Sequence, residues 1–109
     1  MTGRQVVLRD ERNGRDSRHL SAHLNEAGDL VIAGQDLGPG TAPVSGDGEY
    51  EWSETVRAEH LADLIALLGG APGVDVLDLL EGYAGARSFE LERLLSGGEV
   101  PVEFWSYAG

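Results

Sequence analysis

The chain contains no cysteine, no lysine and a single methionine in 109 residues. Without cysteine there is no disulfide, no thiolate nucleophile and no cysteine-based zinc site, and the redox compartment stays open. Without lysine there is no Walker loop, whose lysine must reach the bound phosphates, and the glycines of 38–48 do not fall into a G-x-G-x-x-G spacing. A G-x-S-x-G elbow is also missing, and no Ser–His–Asp set is suitably spaced, so nucleophilic hydrolysis has no support. Long apolar runs are absent. The longest, Leu61–Leu68, is interrupted by Asp63 and is far shorter than the ~20 residues a membrane-spanning helix needs. Met1–Arg18 is polar and arginine-rich, with no apolar stretch of the secretory type. The expectation is a cytoplasmic protein that does not engage a membrane.

Acid is abundant: 19 Asp and Glu stand against 8 Arg, for a net charge of −11. The imbalance is uneven. Residues 1–18 carry five Arg against Asp10, Glu11 and Asp16 (+2), and the rest carry three Arg against sixteen acids (−13). Such a field repels polyphosphates and attracts basic partners. The hydrophobic fraction of 41% and charged fraction of 25% are ordinary for a folded chain, so the acidity does not imply disorder. The length suits one domain, 1–109, with one modest core.

Patterning predicts an α+β fold. Gln5–Asp10, with Val6, Val7 and Leu8, reads as a strand, followed by a polar loop over Glu11–Ser17 with Asn13-Gly14 as its turn. His19–Asn25 alternates: Leu20, Ala22 and Leu24 face one way, His19, Ser21 and His23 the other. Asn25–Asp29 reads as a hairpin loop returning into a strand over Leu30–Gln35. Gly38–Gly48, with four Gly and two Pro, reads as a surface loop. Glu49–Val56 alternates again, placing Tyr50, Trp52, Glu54 and Val56 opposite Glu49, Glu51, Ser53 and Thr55.

The period then becomes helical. Leu61, Leu64, Ile65 and Leu68 form one apolar stripe, ended by Gly69-Gly70 and Pro72. A second helix is expected over Val74–Tyr83, and a third from Ser88 as N-cap, with Leu91, Leu94 and Leu95 inward. Val100–Tyr107 reads as a last extended segment, confined by Pro101 to an edge. The expectation is an antiparallel sheet of about four N-terminal strands, then about three helices and a short C-terminal strand.

Few residues suggest chemistry. His19 and His23 on one strand stand about 13 Å apart, too far to share a metal ion. His60 reads as a polar flank to Leu61. Glu49 and Glu51 lie about 7 Å apart on a strand face, but no calcium-loop pattern surrounds them. Neither a metal site nor a cofactor is expected. The aromatics are more telling: Tyr50 and Trp52 alternate on one strand, and Phe104, Trp105 and Tyr107 crowd the C-terminal segment. Exposed Trp and Tyr mark interfaces.

Glu51–Gly69 and Val100–Ser106 resemble stretches of a group of short acidic actinobacterial proteins, a likeness that implies no activity and no site residues. The order of four strands followed by a helix is similar, more loosely, to the Whirly-like transcriptional-coactivator fold. That resemblance implies a dimer that binds single-stranded DNA, gripping the backbone with basic residues and stacking bases on aromatics. The matching positions would be Arg4, Arg9, Arg12, Arg15 and Arg18, with Tyr50 and Trp52 as the platform. The −13 remainder opposes DNA at low salt.

Two readings follow. In the first, a non-enzymatic interaction protein engages a basic protein partner, in its sharpest form an immunity- or antitoxin-like inhibitor. Its interaction residues would be Glu49, Glu51, Trp52, Glu54, Glu103, Trp105 and Tyr107. In the second, a homodimer binds single-stranded nucleic acid through the five N-terminal arginines.

Overall fold

The computed structural model describes residues 4–14, 16–38 and 49–108. The Gly/Pro-rich loop therefore lies, from residue 39 on, outside the described residues, as does Arg15. Five strands form one antiparallel sheet in sequence order: β1 (Gln5–Asn13), β2 (Asp16–Leu24), β3 (Leu30–Leu37), β4 (Glu49–Val56) and β5 (Glu103–Ala108). Between β4 and β5 lie α1 (Leu61–Leu67), α2 (Val76–Glu81) and α3 (Ser88–Ser96), with 3-10 turns at Ala58–His60 and Gly85–Arg87. The class is mixed α+β. The last strand is no separate appendage: it pairs with β4, Glu51 opposite Tyr107 and Ser53 opposite Trp105. Among the described residues no helix is long and apolar enough to cross a membrane.

The helices cover the face of the sheet on which the strands carry their buried aliphatic residues. Val6, Leu8, Leu20, Ala22, Leu30, Ile32 and Val56 are buried on the sheet side of the core. Leu64, Leu77, Leu80, Leu91 and Leu95 close it from above, and Val100 joins it ahead of β5. The alternation over His19–Leu24 holds only in part: Leu20 and Ala22 are fully buried, but Leu24 at the strand end is exposed and Ser21 on the other face is buried, accepting from Gln5 Nε2. The turn after it is held by Asn25, whose Oδ1 accepts from the backbone N–H of Ala27 (2.9 Å) and Asp29 (3.0 Å).

Three local expectations change. The polar stretch Glu11–Ser17 is no loop. Both strands run on, pairing Glu11 with Arg18 and Asn13 with Asp16, and Gly14 turns with φ +66°. Polar residues are admitted there because the strand ends project beyond the apolar core. The second helix is shorter than expected, starting at Val76, because the Asp75 carboxylate caps it by accepting from Leu77 N (2.8 Å) and Asp78 N (3.3 Å). Ser88 is not an N-cap. The 3-10 turn before it already has helical geometry, so Ser88 enters inside the helix and its fully buried hydroxyl serves Arg9 instead. By contrast, α1 ends as its glycines require: Gly69 (φ +83°) donates to Ala66 O and Gly70 to Ile65 O, a Schellman pair.

Candidate functional site

Strand register sorts the candidate residues onto two faces. On the helix-covered face, one row across the sheet reads Ala22, Ile32, Glu54, Phe104, and the next Leu20, Gly34, Trp52, Ser106. On the open face the rows read Ser21, Ala33, Ser53, Trp105 and His19, Gln35, Glu51, Tyr107, with Thr55 and Glu103 in a third. The seven residues expected to form one interaction face are therefore split. Trp52 and Glu54 lie on the helix side, whereas Glu51, Glu103, Trp105 and Tyr107 lie on the open side. Glu49 starts β4 opposite Leu37.

β5 reunites them. It is the outermost strand, pairing on one side with β4, and its aromatics stand out on both faces: Phe104 is 62%, Trp105 56% and Tyr107 51% exposed. A chain laid along its free edge would meet Phe104 and Glu54 with one set of alternate side chains, and Trp105, Tyr107 and Glu51 with the other. Glu103 is engaged, receiving Arg57 Nε at 3.0 Å.

Trp52 is no exposed anchor. It lies half-buried against the core and flat on Gly34, where a Cβ would overlap its indole ring, and Tyr50 stacks on it at 5.4 Å. Glu54 is also half-buried. Burial pushes its carboxyl above the ordinary range, and Glu92 adds to the shift. Burial likewise raises Asp36, against the opposing pull of Arg18 and Arg9.

Among the described residues, the arginines expected to grip nucleic acid do not form a track. Arg4 donates to Asp78 (2.6 Å) and Glu81 (3.0 Å) and stands 3.6 Å from Asp75, tying β1 to α2. Arg9 is buried. Its Nη2 donates to Ser88 Oγ and Glu92 Oε1, both at 2.8 Å, and its guanidinium lies 3.9 Å above the Phe89 ring. Arg12 and Arg18 are exposed, but the register sets them on opposite faces. Arg15 lies outside the described residues.

The histidines are dispersed. His19 Nδ1 stands 4.0 Å from Asp10, His23 lies opposite Gln5 and Val31, and His60 Nε2 is 3.3 Å from Glu59. Among the described residues no three His, Asp or Glu side chains converge to hold a metal ion.

Two features escaped the sequence reading. The Arg9–Ser88–Glu92 network joins residues about eighty positions apart, and nothing local announces it. Gly34 had a signal: a glycine inside a strand marks the close approach of another group, here Trp52. Comparison with protein-family models, with curated proteins and with solved structures finds no match.

Proposed function

We propose that this protein acts by binding a basic protein partner through the β5 edge, with an immunity- or antitoxin-like inhibitor as the sharpest form of that role. The observation that supports the reading is the edge itself: three exposed aromatics on an outermost strand, in a chain of net charge −11. An edge strand offers unpaired backbone groups to an added strand, and aromatics flanking it supply contact area. Natural edges are commonly blunted by lysine, and this chain has none. Charge complementarity selects a basic segment: a second copy of this chain would bring a further −11 to the same edge. The nucleic-acid reading draws less support, because Arg4 and Arg9 are already engaged by carboxylates and a buried serine.

The test places a photoreactive residue at position 107, and in a control at exposed Phe89, in cells of the organism that encodes the chain. The reading expects one basic protein cross-linked from position 107 and absent from position 89. Its recombinant form should bind the purified chain, and Trp105→Ala with Tyr107→Ala should weaken that binding at least tenfold. Equal cross-linking from both positions, or none, refutes it.

A further inference from the structure

Beside β5, on the helix-covered face, an open cavity of about 330 Å³ lies between the strand and the C-terminal end of α3. Its lining is mixed: apolar side chains come from Leu95, Val100, Pro101, Val102 and Phe104, and polar surface from Glu54, Ser96 and the backbone at Gly98. Among the described residues its one ionisable group is Glu54. The Ser96 hydroxyl donates to Arg93 O at 3.0 Å. The Glu54 carboxylate has no hydrogen-bond or ion-pair partner among the described residues, and only burial and Glu92 act on it. Asp29 and Glu92 do have partners, Asp29 accepting from Ala58 N and Asn25 and Glu92 from Arg9, whereas Asp36, also raised by burial, feels Arg18 and Arg9 only at a distance.

We propose that this cavity is the seat of one cationic side chain, a lysine or arginine of the bound partner. An alkyl stem matches the apolar part of the lining, and a terminal ammonium or guanidinium supplies the countercharge that a half-buried carboxylate lacks. The exposed Phe104 ring stands at the mouth, where its face can receive a cation. Position agrees with chemistry, because Glu54 is directly opposite Phe104 of β5, one strand in from the edge. Alternate residues of an added strand point to this side of the sheet. The inference rests on the β5 reading for the source of the cation, but not for the cavity's preference.

The geometry of Glu54 carries the proposal, and its raised proton affinity agrees with it. The charged group acting on Glu54 is Glu92 of α3, which Arg9 of β1 holds; Ile32 of β3 and Phe104 of β5, its cross-strand neighbours, carry no charge. Binding of a cation should therefore weaken as pH falls through the raised Glu54 value.

The probes are Nα-acetyl-arginine methylamide and Nα-acetyl-lysine methylamide, titrated into the full chain and followed by amide chemical shifts. The uncharged analogue Nα-acetyl-norleucine methylamide is the control. The expected result is saturable shifts at Leu95, Val102 and Phe104 with one or both cations, and none with norleucine. Glu54→Gln should weaken the affinity about tenfold, the scale of one charge-assisted hydrogen bond. A Glu54 carboxyl resonance whose titration midpoint falls when the cation is added would agree. Absence of saturable shifts, or equal shifts with norleucine or in Glu54→Gln, overturns the proposal. Failure here with intact cross-linking at position 107 removes the cavity and leaves the edge reading. Success here without cross-linking does the reverse.

Discussion

Replacing Arg9 with methionine tests the account of how the sheet and α3 are joined. A bulge between Val7 and Arg9 sends both Leu8 and Arg9 to the helix side, opposite Leu20. Arg9 Nε and Nη2 then donate to Ser88 Oγ at 3.2 and 2.8 Å, and Nη2 to Glu92 Oε1 at 2.8 Å. Methionine keeps most of the apolar stem and removes the charge. Ser88 is fully buried, and a buried hydroxyl stripped of its donor costs about 1–3 kcal/mol. Glu92 retains 29% side-chain exposure, so water recovers part of its loss and its share is about 1 kcal/mol. The cation over Phe89, a ring 53% exposed, adds about 0.5–1 kcal/mol. These contributions share one side chain and do not simply add, so the expected loss is about 2–4 kcal/mol. Urea unfolding followed by tryptophan fluorescence measures it. A double-mutant cycle with Glu92→Gln should return a coupling of about 1 kcal/mol. A stability within about 0.5 kcal/mol of the parent, the range of ordinary surface substitutions, would refute the reasoning.

Gly34→Ala should destabilise by about 1–3 kcal/mol despite the better strand propensity of alanine, because the new Cβ would sit closer than 3.0 Å to three Trp52 ring atoms. Its tryptophan emission should shift, and a variant more stable than the parent would contradict the packing. Asp75→Ala should cost about 1 kcal/mol through loss of the α2 cap, read as faster amide exchange at Leu77 and Asp78; unchanged exchange there would count against it. Asp29 carries an acid-side contribution: the Ala58 N–H holds its carboxyl below the ordinary range, with Asn25 and Arg57 assisting against the effect of burial. Its stabilisation is fully present above the unfolded value of about 3.9 and is lost as pH falls through the lower folded value. The stability advantage of the parent over Asp29→Asn should therefore shrink in that window, and an advantage that is constant with pH would exclude the linkage. Glu54 has the opposite sign. Its folded value is raised, so stability declines as pH rises from the unfolded toward the folded value, and Glu54→Gln should flatten that decline in pH-dependent denaturation curves. An unchanged curve would argue against the burial of the carboxyl.

Short-range chemistry made several elements legible in the sequence alone. The period-two pattern over His19–Leu24 and the side-chain chemistry of Asn25 define a hairpin within a dozen residues. The stripe of Leu61, Leu64, Ile65 and Leu68 with Gly69 behind it defines a helix and its end, because both depend on hydrogen bonds a few residues apart. Other features depended on pairings that no local pattern encodes. The polar strand ends around Gly14 are held by cross-strand partners, not by alternation. The bulge decides which side of the sheet Arg9 takes, and so decides that Ser88 serves a distant guanidinium rather than its own helix. The placement of β5 beside β4, at an open edge, splits the acidic and aromatic residues between two faces and brings Glu54 to a cavity walled from α3 and the segment before β5. The sequence by itself determined the net charge, the turns and the helix end, because these are set by residue identities and contacts near in the chain. Only the tertiary structure decided the edge, the buried arginine and the cavity, because each is a contact between segments tens of residues apart.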